Sequence, residues 1–162
     1  DDGNILPPGS EGELWMRGPQ IMAGYWRREV ETAAVLTEDG WLKSGDIAIM
    51  NADGWIFLVD RKKDVIIASG FKVWPTEVED VLYSHPAVRE AAVIGVPDAY
   101  RGETVKAVVS LKPGATATEG ELRDFCRTRL TGYKQPRLFE ILEDLPKTVT
   151  GKIHKVALRD RD

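Results

Sequence analysis

Four places in this sequence hold residue types and spacings that could do chemistry. Asp46 closes the tripeptide Ser44-Gly45-Asp46 after an apolar run. A carboxylate held there can accept hydrogen bonds from two neighbouring hydroxyls, as an acidic residue does toward a ribose in dinucleotide folds; the same tripeptide also reads as a turn with an Asx-type cap. Arg61 opens the run Arg61-Lys62-Lys63-Asp64, where a guanidinium beside ammonium groups could contact a nucleotide or simply solvate a linker. Gly70, in Ser69-Gly70-Phe71, either supplies a positive φ to a turn or lets a ligand pass close to backbone. Lys152 follows a Pro-bounded, Gly-containing loop at residues 146–151, and is either solvated surface or a point charge deliverable to a developing anion.

These residues need elements to hold them, and the pattern changes character along the chain. Residues 1–60 carry 4 basic and 11 acidic groups, whereas residues 61–162 carry 18 and 15. That break coincides with a shift from short strands between turns to strands alternating with helices, so a domain boundary is expected at Asp60 and Arg61. In the first part, residues 13–17, 41–43 with 47–50, and 55–59 are strand candidates, separated by Gly18-Pro19, Asp39-Gly40 and Asp53-Gly54 turns. So few strands bury little apolar area alone, and they are expected to belong to a larger body upstream.

In the second part, residues 64–68 and 71–74 flank Ser69-Gly70 as a hairpin. Pro75-Thr76 then opens a helix with a Thr76–Glu79 capping box and an inward face of Val78, Val81 and Leu82. Strands follow at 91–96, 105–111 and 139–142, with a helix at about 118–130 whose stripe holds Leu122, Phe125, Cys126 and Leu130. Cys126 therefore reads as core, since a reactive thiol needs an exposed electropositive site and a partner base. The basic residues of that helix and beyond, through Lys134 and Arg137, read as a solvated face or as a surface for phosphate or membrane.

Composition narrows the function classes. Hydrophobic residues at 43% and charged residues at 30% are ordinary globular usage, not disorder. A net charge of −4 gives no global positive field for nucleic acid. One cysteine, with only His85 and His154, falls short of a zinc cluster and of an internal disulfide. The longest apolar stretch, 91–96, is far below the roughly 20 residues that cross a bilayer, and the acidic start is not a signal peptide. A reducing, cytoplasmic setting without a structural metal is expected.

Taken together, five motifs change the weight of each residue. They are residues 12–26 (Gly-Glu-Leu-Trp-Met-Arg-Gly-Pro-Gln-Ile-Met-Ala-Gly-Tyr-Trp), Trp41-Leu-Lys-Ser-Gly-Asp46, Asp60-Arg-Lys-Lys-Asp-Val-Ile-Ile-Ala-Ser-Gly-Phe71, Pro75-Thr-Glu-Val-Glu79 and Pro146-Lys-Thr-Val-Thr-Gly-Lys152. In this order and spacing the chain resembles the C-terminal part of the adenylate-forming, AMP-binding enzymes, and most of all bacterial long-chain fatty-acid CoA ligases.

The resemblance implies an α+β fold: a small C-terminal lid domain of mixed sheet and packed helices over 61–162, preceded by a β-rich remnant of the N-terminal body over 1–60. It implies ATP, CoA and Mg²⁺ as cofactors and a two-step reaction through an acyl-adenylate to an acyl-CoA. By the same resemblance Asp46 accepts from the ribose hydroxyls with Arg61 assisting, Lys63 is the hinge, and Lys152 approaches the carboxylate and α-phosphate. Ser69, Gly70 and Phe71 line the pantetheine tunnel once the small domain has turned.

Ser44 stands where Thr is common, Ile67 and Lys72 where aryl-specific relatives carry Lys and Gln, and Lys155 where Arg follows the terminal Gly-Lys. The phosphate loop, adenine pocket, acyl tunnel and Mg²⁺ ligands are not in these residues, so the chain is expected to be a fragment, inactive alone, that partners its own N-terminal domain. Contact with a membrane surface is left open. Two rivals remain: an adenylation domain loading an amino or aryl acid onto a carrier protein, and a non-catalytic module that binds CoA or a partner.

Overall fold

Short alternating runs punctuated by glycine turns give the N-terminal strands, because β-forming residues need turn chemistry between them to reverse direction. In the computed structural model, which describes residues 3–161, these are β1 (Glu11–Met16), β2 (Leu42–Met50) and β3 (Ile56–Arg61). They pair antiparallel in the order β1-β2-β3. β2 runs unbroken through Ser44-Gly45-Asp46, where the sequence suggests a turn between two strands. The three residues bulge instead: Trp15 pairs with Lys43 and Glu13 with Ile47, so Leu14 opposes Ser44, Gly45 and Asp46. Gly45 permits this with φ +72°.

A helix without a sequence signal, α1 (Glu29–Val35), precedes β2 and buries none of its residues. Having no buried stripe, it has no apolar periodicity to announce it. Local bonds hold its start: the N–H and hydroxyl of Thr32 both donate to the Arg28 carbonyl, at 2.9 and 2.6 Å.

Contacts divide the chain into two units, Asp1–Lys63 and Asp64–Asp162. In the second, β4 (Ile66–Ala68), β5 (Phe71–Val73), β6 (Val88–Asp98) and β7 (Gly102–Leu111) form a sheet in the order β5-β4-β7-β6, and β8 (Leu138–Leu142) pairs with β7 in parallel. The helices are α2 (Pro75–Tyr83), α3 (Glu119–Arg127) and α4 (Lys155–Arg159). Mixed sheet and helices make the α+β fold that the resemblance implies.

Because side chains alternate along a strand, β6 feeds two cores at once. Ala91 and Val93 join Val78 and Leu82 of α2 and Leu122 and Cys126 of α3, while Ala92, Ile94 and Val96 join Leu145 and Leu158. The continuous apolar run of β6 is the sequence trace of this double burial. Burial pushes the Cys126 thiol up to about 11 against the lesser opposing pull of Arg129, so it is packing and not a nucleophile.

The start of α2 differs from expectation. Pro75 takes the first helical position of α2 and Trp74 the cap, so Thr76 lies inside the helix and Glu79 is released for other work. The capping box is found on α3, where the Thr118 side chain accepts from the Glu121 N–H and the Glu121 carboxylate accepts from the Thr118 N–H.

Candidate functional site

The bulge in β2 is what presents Asp46. Ser44 Oγ donates to the Leu14 carbonyl at 2.7 Å and accepts from the Asp46 N–H at 3.0 Å, pinning both sides of Gly45. Asp46 then stands opposite Arg61 across β2 and β3, and Arg61 Nε donates to Asp46 Oδ1 at 2.8 Å. Beside them the Gly45 N–H donates to Glu13 Oε1 at 3.2 Å, and Lys62 Nζ pairs with Glu13 Oε2 at 3.0 Å.

Burial is the largest single influence on Glu13 and acts to raise its pKa. Side-chain hydrogen bonds from Lys62 and Trp15, the Lys62 charge and the Gly45 N–H together outweigh it and hold the carboxyl below its ordinary value. Two carboxylates and two cations thus share one bulge. Asp46, about a quarter exposed, can offer oxygen to paired hydroxyls, with the more exposed Arg61 guanidinium alongside for an anion.

Lys63 is exposed in a single 3-10 turn, Lys62–Asp64, and is the last residue of the first unit. Its neighbours are both tied down: Lys62 to Glu13, and Asp64 to Arg159, whose Nη2 donates to Asp64 Oδ1 at 2.9 Å.

Ser69 and Gly70 form the two-residue connection between β4 and β5, both left-handed at φ +55° and +82°. That is the type I′ geometry matching the twist of the flanking strands. The Ser69 N–H donates to the Arg101 carbonyl at 3.0 Å. Phe71 is exposed and stacks on Tyr133, with ring centroids 4.8 Å apart. Beside Ser69 opens a cleft of about 230 Å³ lined also by Tyr100, Arg101, Tyr133, Gln135 and Arg137. Aromatic faces with two guanidiniums suit a ligand that is part flat ring and part anion. Of Tyr100, Arg101, Tyr133, Gln135 and Arg137, only Arg137 falls in the basic stretch that the sequence offers as a solvated face or as a surface for phosphate or membrane. Tyr100 and Tyr133, aromatic residues set in loops rich in glycine and charge, were the available signal.

Lys152 lies on a hairpin rather than the free loop that its glycine and proline suggest. The His154 N–H donates to the Pro146 carbonyl at 2.8 Å, Lys147 bridges Ile153, and the Thr148 N–H donates to the Lys152 carbonyl at 2.8 Å. Thr148 Oγ1 accepts from the Lys152 N–H at 3.3 Å, and Gly151 closes the turn at φ +81°. The side chain of Lys152 is exposed, one residue past that turn. The structure therefore joins Asp46 with Arg61, gathers Ser69, Gly70 and Phe71 at one turn, and gives Lys152 a hairpin of its own.

Among the described residues, no group of three His, Cys, Asp or Glu side chains is placed to hold a metal ion. No described helix is long and apolar enough to cross a membrane.

Residues 77–152 match the AMP-binding enzyme C-terminal domain family. The whole chain is 49% identical over 162 residues to a long-chain-fatty-acid–CoA ligase of Bacillus subtilis (strain 168), covering 29% of that protein. It is 48% identical over 159 residues to a feruloyl-CoA synthase of an Amycolatopsis species, covering 98% of this chain and 32% of that one. The crystal structure of ATP-bound MatB from Rhodopseudomonas palustris superposes with a TM-score of 0.90 at 36% identity, over 96% of this chain and 31% of that one. The chain thus spans about three tenths of the length of the proteins it matches.

Proposed function

From the premise that residues 77–152 are an AMP-binding enzyme C-terminal domain, we propose that the chain is the small domain, with the last β-rich piece of the large one, of an AMP-forming fatty-acyl-CoA ligase. The observation that carries the substrate class is its 49% identity, sustained over all 162 residues, to a long-chain-fatty-acid–CoA ligase.

In the first half-reaction a carboxylate oxygen attacks the α-phosphorus of ATP and pyrophosphate leaves. In the second the sulfur of CoA attacks the carbonyl carbon and AMP leaves. Each residue suits one part of this. Asp46 accepts from the ribose hydroxyls, and Arg61, paired to it at 2.8 Å, adds positive charge at the same place. Lys152 supplies an ammonium to the carboxylate and α-phosphate as negative charge develops between them. Ser69, Gly70 and Phe71 wall the pantetheine path, and the cleft beside that turn, with Tyr100, Arg101 and Arg137, offers aromatic and cationic contacts to a further part of CoA.

Lys63 is the hinge, so the small domain turns to offer Lys152 to the first step and the β4–β5 turn to the second. Mg²⁺ would neutralise phosphate charge in the first step; the described residues hold no ligand set for it, and its ligands belong to the large domain. The setting is cytoplasmic.

A second reading, in which the acid is aromatic, draws on the similarity to a feruloyl-CoA synthase. The test is ATP–pyrophosphate exchange by the full-length protein with a fatty acid, a cinnamic acid and an amino acid supplied in turn. Exchange with the fatty acid is expected, and none from the 162-residue chain alone. Exchange only with the cinnamic acid selects the second reading, and exchange only with the amino acid overturns both.

A further inference from the structure

The hairpin that carries Lys152 does not rely on its own short ladder. Each leg is tied to the body of the second unit by an ion pair from a different element. On the incoming leg, Lys147 Nζ meets Glu90 Oε1 of β6 at 2.8 Å. The other oxygen of Glu90 accepts from the fully buried Ser110 hydroxyl at 3.4 Å, so the carboxylate is itself held from behind. Just upstream, Arg89 donates to the Glu143 carbonyl at 2.8 Å and pairs with Asp144, fixing the approach to Pro146.

Immediately past the outgoing leg, at the first residue of α4, Lys155 Nζ meets Glu79 Oε1 of α2 at 2.7 Å, and the same oxygen accepts the Val93 N–H of β6 at 2.7 Å. Between the two pairs, Ile153 packs on the core that holds Leu145 and Leu158. All four ion-pair side chains are less than half exposed, and both carboxylates are under one quarter exposed.

We infer that Glu90 and Glu79 are positioning residues for Lys152: together they clamp the two legs of its hairpin, so that the ammonium is carried as part of the β6–β7 sheet and arrives already placed. The inference rests on the adenylation role proposed above for Lys152. A charge on a four-carbon stem stabilises a developing anion only as well as its backbone is held, and a free loop would have to be ordered at each turnover. With both legs clamped, the turn of the domain brings and withdraws the charge in one movement. The pairs lie at the root of the hairpin, where they touch no proposed substrate position, and their effect reaches the reaction only through Lys152.

The test uses the full-length enzyme with Lys147→Met, Lys155→Met, both together, the matching Arg variants, and Lys152→Ala as reference. Adenylate formation and thioester formation from supplied acyl-adenylate are measured separately. Each Met variant is expected to lose about tenfold in kcat for adenylate formation and the pair about a hundredfold, comparable to the loss when a partner that orients a metal ligand is removed. The KM for ATP and thioester formation should stay within about twofold, and the Arg variants should recover most of the loss by keeping the cation. If Lys152→Ala leaves adenylate formation intact, the site reading itself fails and the clamp with it. If Lys152→Ala impairs adenylation while the double Met variant does not, or impairs both half-reactions alike, the clamp is overturned and the role of Lys152 stands.

Discussion

At Gly70 the left-handed φ is required by the turn, yet a Cβ there would meet nothing within 4 Å. Substitution therefore costs backbone strain alone, about 1–2 kcal/mol for any residue with a Cβ. Alanine and leucine should lower the melting temperature by similar amounts. If the turn walls a path for CoA, only Gly70→Leu should cut thioester formation, with adenylate formation spared by both; equal loss with Ala and Leu would leave Gly70 a turn residue. Ser69-Gly70 was legible as a hairpin because glycine marks a position that needs positive φ. Ser69 at φ +55° was not, since serine seldom takes the left-handed region and its type does not mark such a position. Nor could the sequence bring Tyr133 onto Phe71, a contact between residues far apart in the chain that only the packed sheet creates.

Among elements, those buried on a regular face were readable and those held by local polar bonds were not. β6 and β7 appeared as apolar runs because both faces of the sheet are covered. α1 buries nothing and left no period. The hairpin of Lys152 looked like a loop because its ladder is short, and the ion pairs of Lys147 with β6 and of Lys155 with α2 are contacts that spacing along the chain does not reveal. The Ser44-Gly45-Asp46 bulge looked like a strand end for a related reason, since glycine in a strand marks a turn and a bulge alike.

The short turn at Lys63 carries the hinge proposal at this scale. Its neighbours are fixed by Glu13 and Arg159, leaving Lys63 as the exposed link between two anchored residues. Proline there fixes φ near −65° and removes a donor. For Lys63→Pro in the full-length enzyme, adenylate formation should persist and overall turnover to acyl-CoA collapse. Unaltered turnover would argue against a domain that alternates about this residue.

Across the whole molecule, the division of charge along the sequence falls close to the division of contacts into two units. The first unit leaves Trp55, Ile56, Phe57 and Leu58 exposed along β3 and the turn before it. Such an apolar edge is the kind that another layer covers, which supports its place in a larger body. The second unit has two cores and holds the turn and the hairpin as separate surfaces. The proposed reaction assigns one of these surfaces to each of its two steps.

The measurement that bears most directly on this is Lys152→Ala in the full-length enzyme, with the two half-reactions followed separately. Adenylate formation should fall by about 100- to 1,000-fold, as on loss of a preorganised stabilising group, while thioester formation from supplied acyl-adenylate is retained. An equal fall in both half-reactions, or none in the first, would contradict the account.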